Sequence, residues 1–273
     1  LNNKKIKILS RLGVIMSAGS IMTPYILMHS GVGDFNDLKD LGIDLKINNK
    51  SVGKNLQDHL GLDYLFKSKI RTLNHSLGTW LGRTKSFFDY LYNRKGPLSL
   101  SINQSGGYIN WNSLNNYPNL QLYFNPLTYS VSHKNKRPLL QTDKFNGFII
   151  GFNSCRPKSM GKVSLINPSK KVDPCIDPNF LSNKEDIHDI KSGIDFIKKI
   201  CKTKGIKEIL ETSVNIDFMN MNEVELIEHF KLNCSSIYHP CGTCKMDNDL
   251  NKGVVSENLK VHNTKNLWIV DAS

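Results

Sequence analysis

From Asn183 onward the apolar residues Ile187, Ile190, Ile194, Ile197 and Ile200 recur at steps of three and four. That spacing puts them on one face of an α-helix. Glu185 and Asp186 stand at its start and Lys198 and Lys199 near its end, the charge order a helix macrodipole favours. A second helix is predicted from Asn222, where Glu225 completes a capping box and Leu226, Ile227 and Phe230 form the buried face. A third stripe, Trp80, Leu81, Phe87, Phe88 and Leu91, predicts a helix over 80–92 with its aromatics in the core, broken by Gly96-Pro97. Apolar runs at 60–66, 120–124, 145–152 and 162–165 predict strands, and the polar stretch 99–107 reads as a flexible link. The middle of the chain is therefore expected to be an antiparallel sheet with one or two covering helices.

The N-terminal part has a different order. Residues 6–16 end in a strand-like run, and Ser17-Ala18-Gly19-Ser20 follows as a small-residue turn that lets another group approach the backbone. Thr23 is then read as a helix cap with Pro24 at the first helical position, and Ser30-Gly31 as the end of that helix. Strand, small-residue turn, helix is the geometry of a mononucleotide-binding edge, and equally of a plain α/β packing unit. Gly31-Val32-Gly33 is not a dinucleotide fingerprint: it follows a helix, and Asn36 holds the next glycine position. Asp34 is expected to cap a helix through Leu41, closed by Gly42, and 43–47 alternates like a strand. Val52-Gly53-Lys54-Asn55-Leu56-Gln57-Asp58-His59 is a compact polar knot with neither period; its amides, carboxylate and imidazole could line a site or tie down a crossing between domains, and it is read as structural.

The densest chemistry lies at 236–246, Ser-Ile-Tyr-His-Pro-Cys-Gly-Thr-Cys-Lys-Met, between the helix begun at Asn222 and a strand-like run at 266–271. The residue before a proline is driven to extended backbone, so His239 is presented from an irregular turn. Loops on a rigid scaffold are where catalytic side chains concentrate, although a loop histidine without a task has the same appearance. Cys241 and Cys244, with Cys234 and His239, form an alternative: a zinc-binding structural or interaction module. Structural zinc usually takes a second paired ligand set, and Cys155, Cys175 and Cys201 are scattered. No metal is expected under the first reading.

Composition narrows the class. The chain has 273 residues and is 39% hydrophobic, enough for one large domain or two ordinary ones. The net charge of +12 comes from lysines spread along the chain, and the longest basic cluster, His133-Lys134-Asn135-Lys136-Arg137, is short, so no nucleic-acid partner is expected. No apolar run approaches the roughly 18–20 residues of a membrane span. Six irregularly placed cysteines suit a reducing cytoplasm better than a disulfide scaffold. Four Asn-x-Ser/Thr triplets, at Asn49, Asn74, Asn103 and Asn233, match the chance level of an Asn-rich chain and are not read as glycan sites. The chain opens on Leu1 without an initiator methionine and stops at Ser273 just after a strand, so it reads as a piece of something longer.

Several stretches, in order, resemble the glucose-methanol-choline (GMC) oxidoreductases. VIMSAGSIMTPYILMHSGVG (14–33) resembles their second signature, and SVGKNLQDH (51–59) a recurrent turn. RPKSMGKVSL (156–165) and DPCIDPNFL (173–181) resemble the opening of their C-terminal region. YHPCGTCKM (238–246) resembles the stretch that bears the active-site histidine, and NLWIVDAS (266–273) the strand that returns to the flavin. The bacterial choline-dehydrogenase-like alcohol dehydrogenases are the nearest in flavour.

The resemblance implies a mixed α/β and α+β chain. It would comprise an incomplete Rossmann-like FAD domain (1–59 and 236–273) and a substrate domain built on an antiparallel sheet covered by helices (60–235). The family's C-terminal region would run over about 150–273. It further implies FAD-dependent oxidation of an alcohol, choline-like or another primary alcohol, with hydride passing to the flavin. His239 is the implied catalytic residue. Ser17, Ala18 and Gly19 are implied near the adenosine part of FAD, Asp271 and Ala272 near the pyrophosphate and ribityl part, and Tyr238 beside the flavin ring. Without the resemblance Asp271 is a strand-end acid.

The implied partners are a small alcohol and an electron acceptor, a quinone or another carrier, with a cytoplasmic location or one peripheral to the inner membrane. Against the family pattern, no glycine-rich flavin fingerprint is present, the second active-site residue falls beyond Ser273, and Met160 replaces the usual Arg. The chain is thus expected to be an impaired fragment. An imidazole titrates near 6.5 and an alcohol, like water, near 15.7. That gap is about 12 kcal/mol, so a lone histidine cannot make a free alkoxide; a second donor or near-concerted transfer is required.

Overall fold

The computed structural model describes residues 6–132, 139–169 and 172–273. The first five residues and the basic cluster at 133–137 lie outside the described residues. The chain forms two compact units: one of Leu1–Asp58, Pro157–Asn183 and Tyr238–Ser273, the other of His59–Arg156 and Lys184–Ile237.

The second unit carries an antiparallel sheet in the order Leu210–Ser213, Leu60–Ser68, Gly147–Ser154, Leu120–Asn125, Ser105–Ile109, with Ser235–Ser236 also paired to Leu60–Ser68. Gly147–Ser154 is buried at every residue, which is why its sequence reads as a continuous apolar run. Its register sets Phe152 beside Leu62, Ile150 beside Tyr64 and Phe148 beside Phe66. Helix Lys184–Lys202 covers this face, its inner side made of Ile190, Ile194, Ile197 and the small Ser192 and Gly193. Gly193 allows close approach: a Cβ there would sit 2.1 Å from the Phe152 ring. Helix Glu223–Asn233 adds Phe230, whose ring centroid lies 5.5 Å from that of Phe152. Its capping box has both bonds, Glu225 N–H to Asn222 Oδ1 at 3.0 Å and Asn222 N–H to Glu225 Oε2 at 2.8 Å. On the other face Asp63, Gly151 and Tyr123 share one cross-strand row.

The first unit holds two short parallel pairs, Val14–Met16 with Leu267–Ile269 and Val32–Gly33 with Ile47–Asn48. A three-stranded antiparallel sheet joins Cys175–Asp177, Gly161–Ser164 and Lys54–Leu56. Leu27, Met28, Val32, Leu38, Leu56 and Val255 belong to its core. Segment Pro157–Asn183, placed by the sequence with the sheet of the second unit, packs in the first through this pairing.

Three expectations fail locally. Helix Trp80–Asn93 forms, but its stripe is not core: Trp80 is 77% exposed and Leu81 74%, with Phe87, Phe88 and Leu91 exposed as well. Periodicity identifies a face and not what covers it. Residues 105–109 form an edge strand rather than a flexible link, because small residues allow tight backbone pairing; a Cβ on Gly106 would lie 2.2 Å from the Leu122 carbonyl oxygen. Of 43–47 only Ile47 is in a strand.

Candidate functional site

The segment bearing His239 is fixed from three directions. The polar knot holds one side: Gly53 N–H donates to the Thr243 carbonyl at 2.8 Å, and Gln57 and Cys241 exchange backbone bonds of 3.0 and 2.8 Å. Asn55 Nδ2 donates to the Gly242 carbonyl at 3.1 Å. Asp58 Oδ1 accepts from the His239 N–H at 2.9 Å. The chain end holds a second side, with Gly242 N–H on the Ala272 carbonyl at 3.0 Å and Cys244 N–H on the Ser273 carbonyl. Helix Gly19–His29 supplies the third, through Ser20 Oγ on the Pro240 carbonyl at 2.7 Å. The segment bends sharply, with Tyr238 at φ +63 and Gly242 at φ +86. Left-handed backbone at a non-glycine residue is sustained only by surrounding structure. On this frame the side chains of Tyr238 and His239 are exposed.

The small-residue turn is organised by Asp271. Its Oδ2 accepts from Gly19 N–H at 2.9 Å and from Thr23 Oγ1 at 2.6 Å, and its Oδ1 from Ser273 N–H at 2.8 Å. Burial alone would raise this carboxyl, but the bonds from Ser273, Thr23 and Gly19 outweigh it and hold the group below the usual carboxylate range. A carboxylate at a helix N-terminus also meets the positive end of the macrodipole. Thr23 is therefore not a cap: the helix begins at Gly19, with Thr23 and Pro24 inside it. Pro24 has no N–H for the Ser20 carbonyl, and Thr243 Oγ1 donates to that oxygen instead, at 2.6 Å.

Ser17, Ala18, Gly19, Asp271 and Ala272 thus meet in one place in the first unit, tied to the Tyr238–His239 turn through Ser20 and Gly242. A Cβ at Gly19 would meet nothing within 4 Å, so this wall is open. Beside it Leu12, Ile15, Leu259, Trp268 and Val270 line a mostly apolar cleft of about 330 Å³. Asp271, bonded at both oxygens, ties the small-residue turn to the chain end.

The zinc alternative is not supported. Among the described residues no group of three His, Cys, Asp or Glu is disposed to hold a metal ion. Burial raises the Cys241 thiol, with Asp58 adding to it, and pushes Cys244 up to about 12. Sequence alone assigns no role in holding the His239 segment to Thr243, to Ser20 of the small-residue turn or to Asp58 of the polar knot.

Residues 157–273 and residues 1–61 match the C-terminal and N-terminal family profiles described as GMC oxidoreductase. The chain is 33% identical over 261 residues to the alcohol dehydrogenase [acceptor] of Pseudomonas putida, covering 95% of this chain and 46% of that protein. It is 28% identical over 265 residues to the oxygen-dependent choline dehydrogenase of Citrobacter koseri, covering 97% and 46%. It therefore spans about half the length of the curated relatives it matches. Among solved structures, a formate oxidase variant of Aspergillus oryzae, described for its FAD modification, superposes with a TM-score of 0.86 at 25% identity, covering 97% of this chain and 50% of the other. A fungal aryl-alcohol oxidase gives 0.76 at 21%, covering 96% and 50%.

Proposed function

We propose, from the premise that this chain belongs to the GMC oxidoreductase family, that the protein is an FAD-dependent oxidoreductase that converts an alcohol to the aldehyde. The observation that carries the reading is the turn Tyr238–Met246: an exposed histidine on a backbone fixed from three sides, bonded to the same place as the open Ser17–Gly19 wall. Bound FAD supplies the hydride acceptor. His239 takes the hydroxyl proton, and Asp58 holds the backbone from which it acts. Ser17, Ala18 and Gly19 offer close backbone approach to the adenosine part, Tyr238 an aromatic surface to the ring, and Asp271 and Ala272 the frame of the turn between them. The first unit is then the flavin side and the second the substrate side. Choline-like and other primary alcohols are the substrate class, and a quinone or another carrier takes the electrons.

The experiment is flavin content together with alcohol-dependent reduction of a dye. A yellow protein whose flavin is bleached by a primary alcohol in the absence of oxygen is expected. Protein that takes up no flavin, or holds flavin that no alcohol reduces, defeats the reading.

Among the described residues no helix is long and apolar enough to cross a membrane. Helix Trp80–Asn93 nonetheless exposes Trp80, Leu81, Phe87 and Tyr92 beside Arg83, Lys85 and Arg94. Aromatic and basic residues together are the composition of a helix lying at an anionic bilayer surface. Peripheral attachment there predicts co-sedimentation with anionic vesicles, reduced at least tenfold in a Trp80→Ser, Phe87→Ser double variant. Equal sedimentation of both proteins would remove this part of the reading.

A further inference from the structure

On the sheet face away from helix Lys184–Lys202, a carboxyl and a phenol lie side by side. Gly151 stands between Asp63 and Tyr123 in their cross-strand row. Having no side chain, it lets the Tyr123 ring lie across it: a Cβ at Gly151 would sit 2.0 Å from that ring and 2.5 Å from Asp63 Oδ1. Gly61 makes room for the end of the ring, since a Cβ there would sit 3.2 Å from Tyr123 Oη. The Tyr123 hydroxyl bonds to the Asp63 carboxyl. Both residues are half-buried, and both line a cavity of about 390 Å³ at the edge of strand Leu60–Ser68. That edge is open, because Leu210–Ser213 pairs with residues 66–68 and Ser235–Ser236 with 60–61. Strand Gly147–Ser154 separates Tyr123 from it. Only the Tyr123 side chain can therefore reach the cavity wall, which puts the cavity against the face that carries Asp63.

Asp63 has no counter-ion. The chain carries 36 Lys and Arg against 24 Asp and Glu, yet among the described residues none forms an ion pair with Asp63. Lys67, four residues along the same strand face, is turned onto the Phe145 ring, 5.6 Å from its centroid. A carboxylate offers about four acceptor sites, and the Tyr123 hydroxyl takes one. Burial raises the Asp63 carboxyl, and the Tyr123 bond offsets part of that. Burial, and then the Asp63 charge, raise the phenols of Tyr123 and Tyr129, so both neighbours stay neutral. Charges withdrawn from water are normally paired. Beside this one lies a cavity and not a protein cation. Among the described residues no group of three His, Cys, Asp or Glu is disposed to hold a metal ion, which leaves an organic cation.

We propose that this cavity binds the ammonium end of a small amino alcohol, with Asp63 as its counter-ion and the Tyr123 ring beside it. A primary ammonium brings three N–H donors to the carboxylate. A quaternary ammonium brings charge without a donor, and a neutral hydroxyl a donor without charge. An aromatic ring at the same place also favours a cation. That the ammonium is carried by an alcohol rests on the proposed oxidation, with the second unit as the substrate side; the ammonium site itself does not.

The experiment is saturation-transfer NMR of the full chain at pH 7 and constant ionic strength. The probes are 2-aminoethanol, choline, ethylene glycol and glycolate, two-carbon alcohols that differ only at the far end. 2-Aminoethanol is expected to saturate, with an apparent Kd at least fivefold below that of choline, while the glycol and glycolate do not saturate. Asp63→Asn is expected to raise the 2-aminoethanol Kd at least tenfold and, without any probe, to melt at the same or a higher temperature, since it breaks no ion pair. The proposal is overturned if 2-aminoethanol does not saturate, meaning that water alone solvates Asp63. Choline, the glycol or glycolate binding as well as 2-aminoethanol overturns it too, as does an Asp63→Asn protein that binds 2-aminoethanol unchanged. A lower melting temperature for Asp63→Asn would mean that the protein itself holds the charge, and counts equally against it. Binding is read without flavin or turnover, so a chain that binds 2-aminoethanol through Asp63 but never oxidises it upholds the site and defeats the oxidation.

Discussion

His239→Ala is expected to lower kcat/KM of the flavin-loaded protein by a factor of about 10² to 10⁴, the usual contribution of a positioned acid–base group. Stability should move by no more than about 0.5 kcal/mol, because the side chain is exposed and the bond to Asp58 uses the backbone N–H, which alanine keeps. Loss of turnover with retained stability is the signature of a reacting side chain. Asp58 gives a graded comparison. Asp58→Asn keeps an acceptor for the His239 N–H and is expected to retain most activity; Asp58→Ala leaves the turn without that tether and is expected to lose about tenfold, with flavin still bound. Steady-state kinetics beside flavin spectra and urea unfolding separate the outcomes. A His239→Ala protein that turns over within a factor of three of the parent would remove His239 from the reaction.

What the sequence made legible was local. The capping box of Asn222 and Glu225 and the isoleucine ladder of helix Lys184–Lys202 involve residues three or four apart, and both form as read. Asp34 likewise caps its helix, accepting from Asn36 N–H at 2.8 Å. Errors arose where a distant partner decides. Thr23 before Pro24 has the pattern of a cap, yet its hydroxyl is taken by Asp271, 248 residues away. The aromatic stripe of Trp80–Asn93 has helical spacing, but spacing carries no information about the surface that meets it. The candidate site was legible in part. His239 and the Ser17–Gly19 turn stood out through a family resemblance. The structure adds that the polar knot at 52–59 holds the histidine segment, through bonds donated by Gly53, Asn55 and Gln57 and one that Asp58 accepts from the His239 N–H. The Asp63–Tyr123 pair meeting over Gly151 had no signature, because it depends on the register of three strands.

Gly242→Ala is expected to destabilise the protein by about 3 kcal/mol or more, from left-handed strain added to a contact that the backbone cannot yield. Gly242 sits at φ +86, where a side chain is strained regardless of space. A Cβ there would also lie 2.6 Å from the Asn55 carbonyl oxygen and 2.7 Å from Asn55 Nδ2. Asn55 has little freedom to retreat: its own φ is +61, and its strand Lys54–Leu56 pairs with Gly161–Ser164. Relief would require the turn to move, breaking the bonds from Asn55 Nδ2 and to Ala272 that set the path from Pro240 to Thr243. His239 would lose its fixed backbone together with the stability. Gly205→Ala supplies the contrast. Gly205 is exposed in helix Lys204–Ile209, and its Cβ would meet nothing within 4 Å, so this change should be neutral or stabilise by up to about 1 kcal/mol. Urea unfolding of both variants beside the parent measures the difference directly. If Gly242→Ala unfolds within 1 kcal/mol of the parent, the turn is not held as the bonds from Asn55 and Ala272 imply, and the rigid presentation of His239 fails with it.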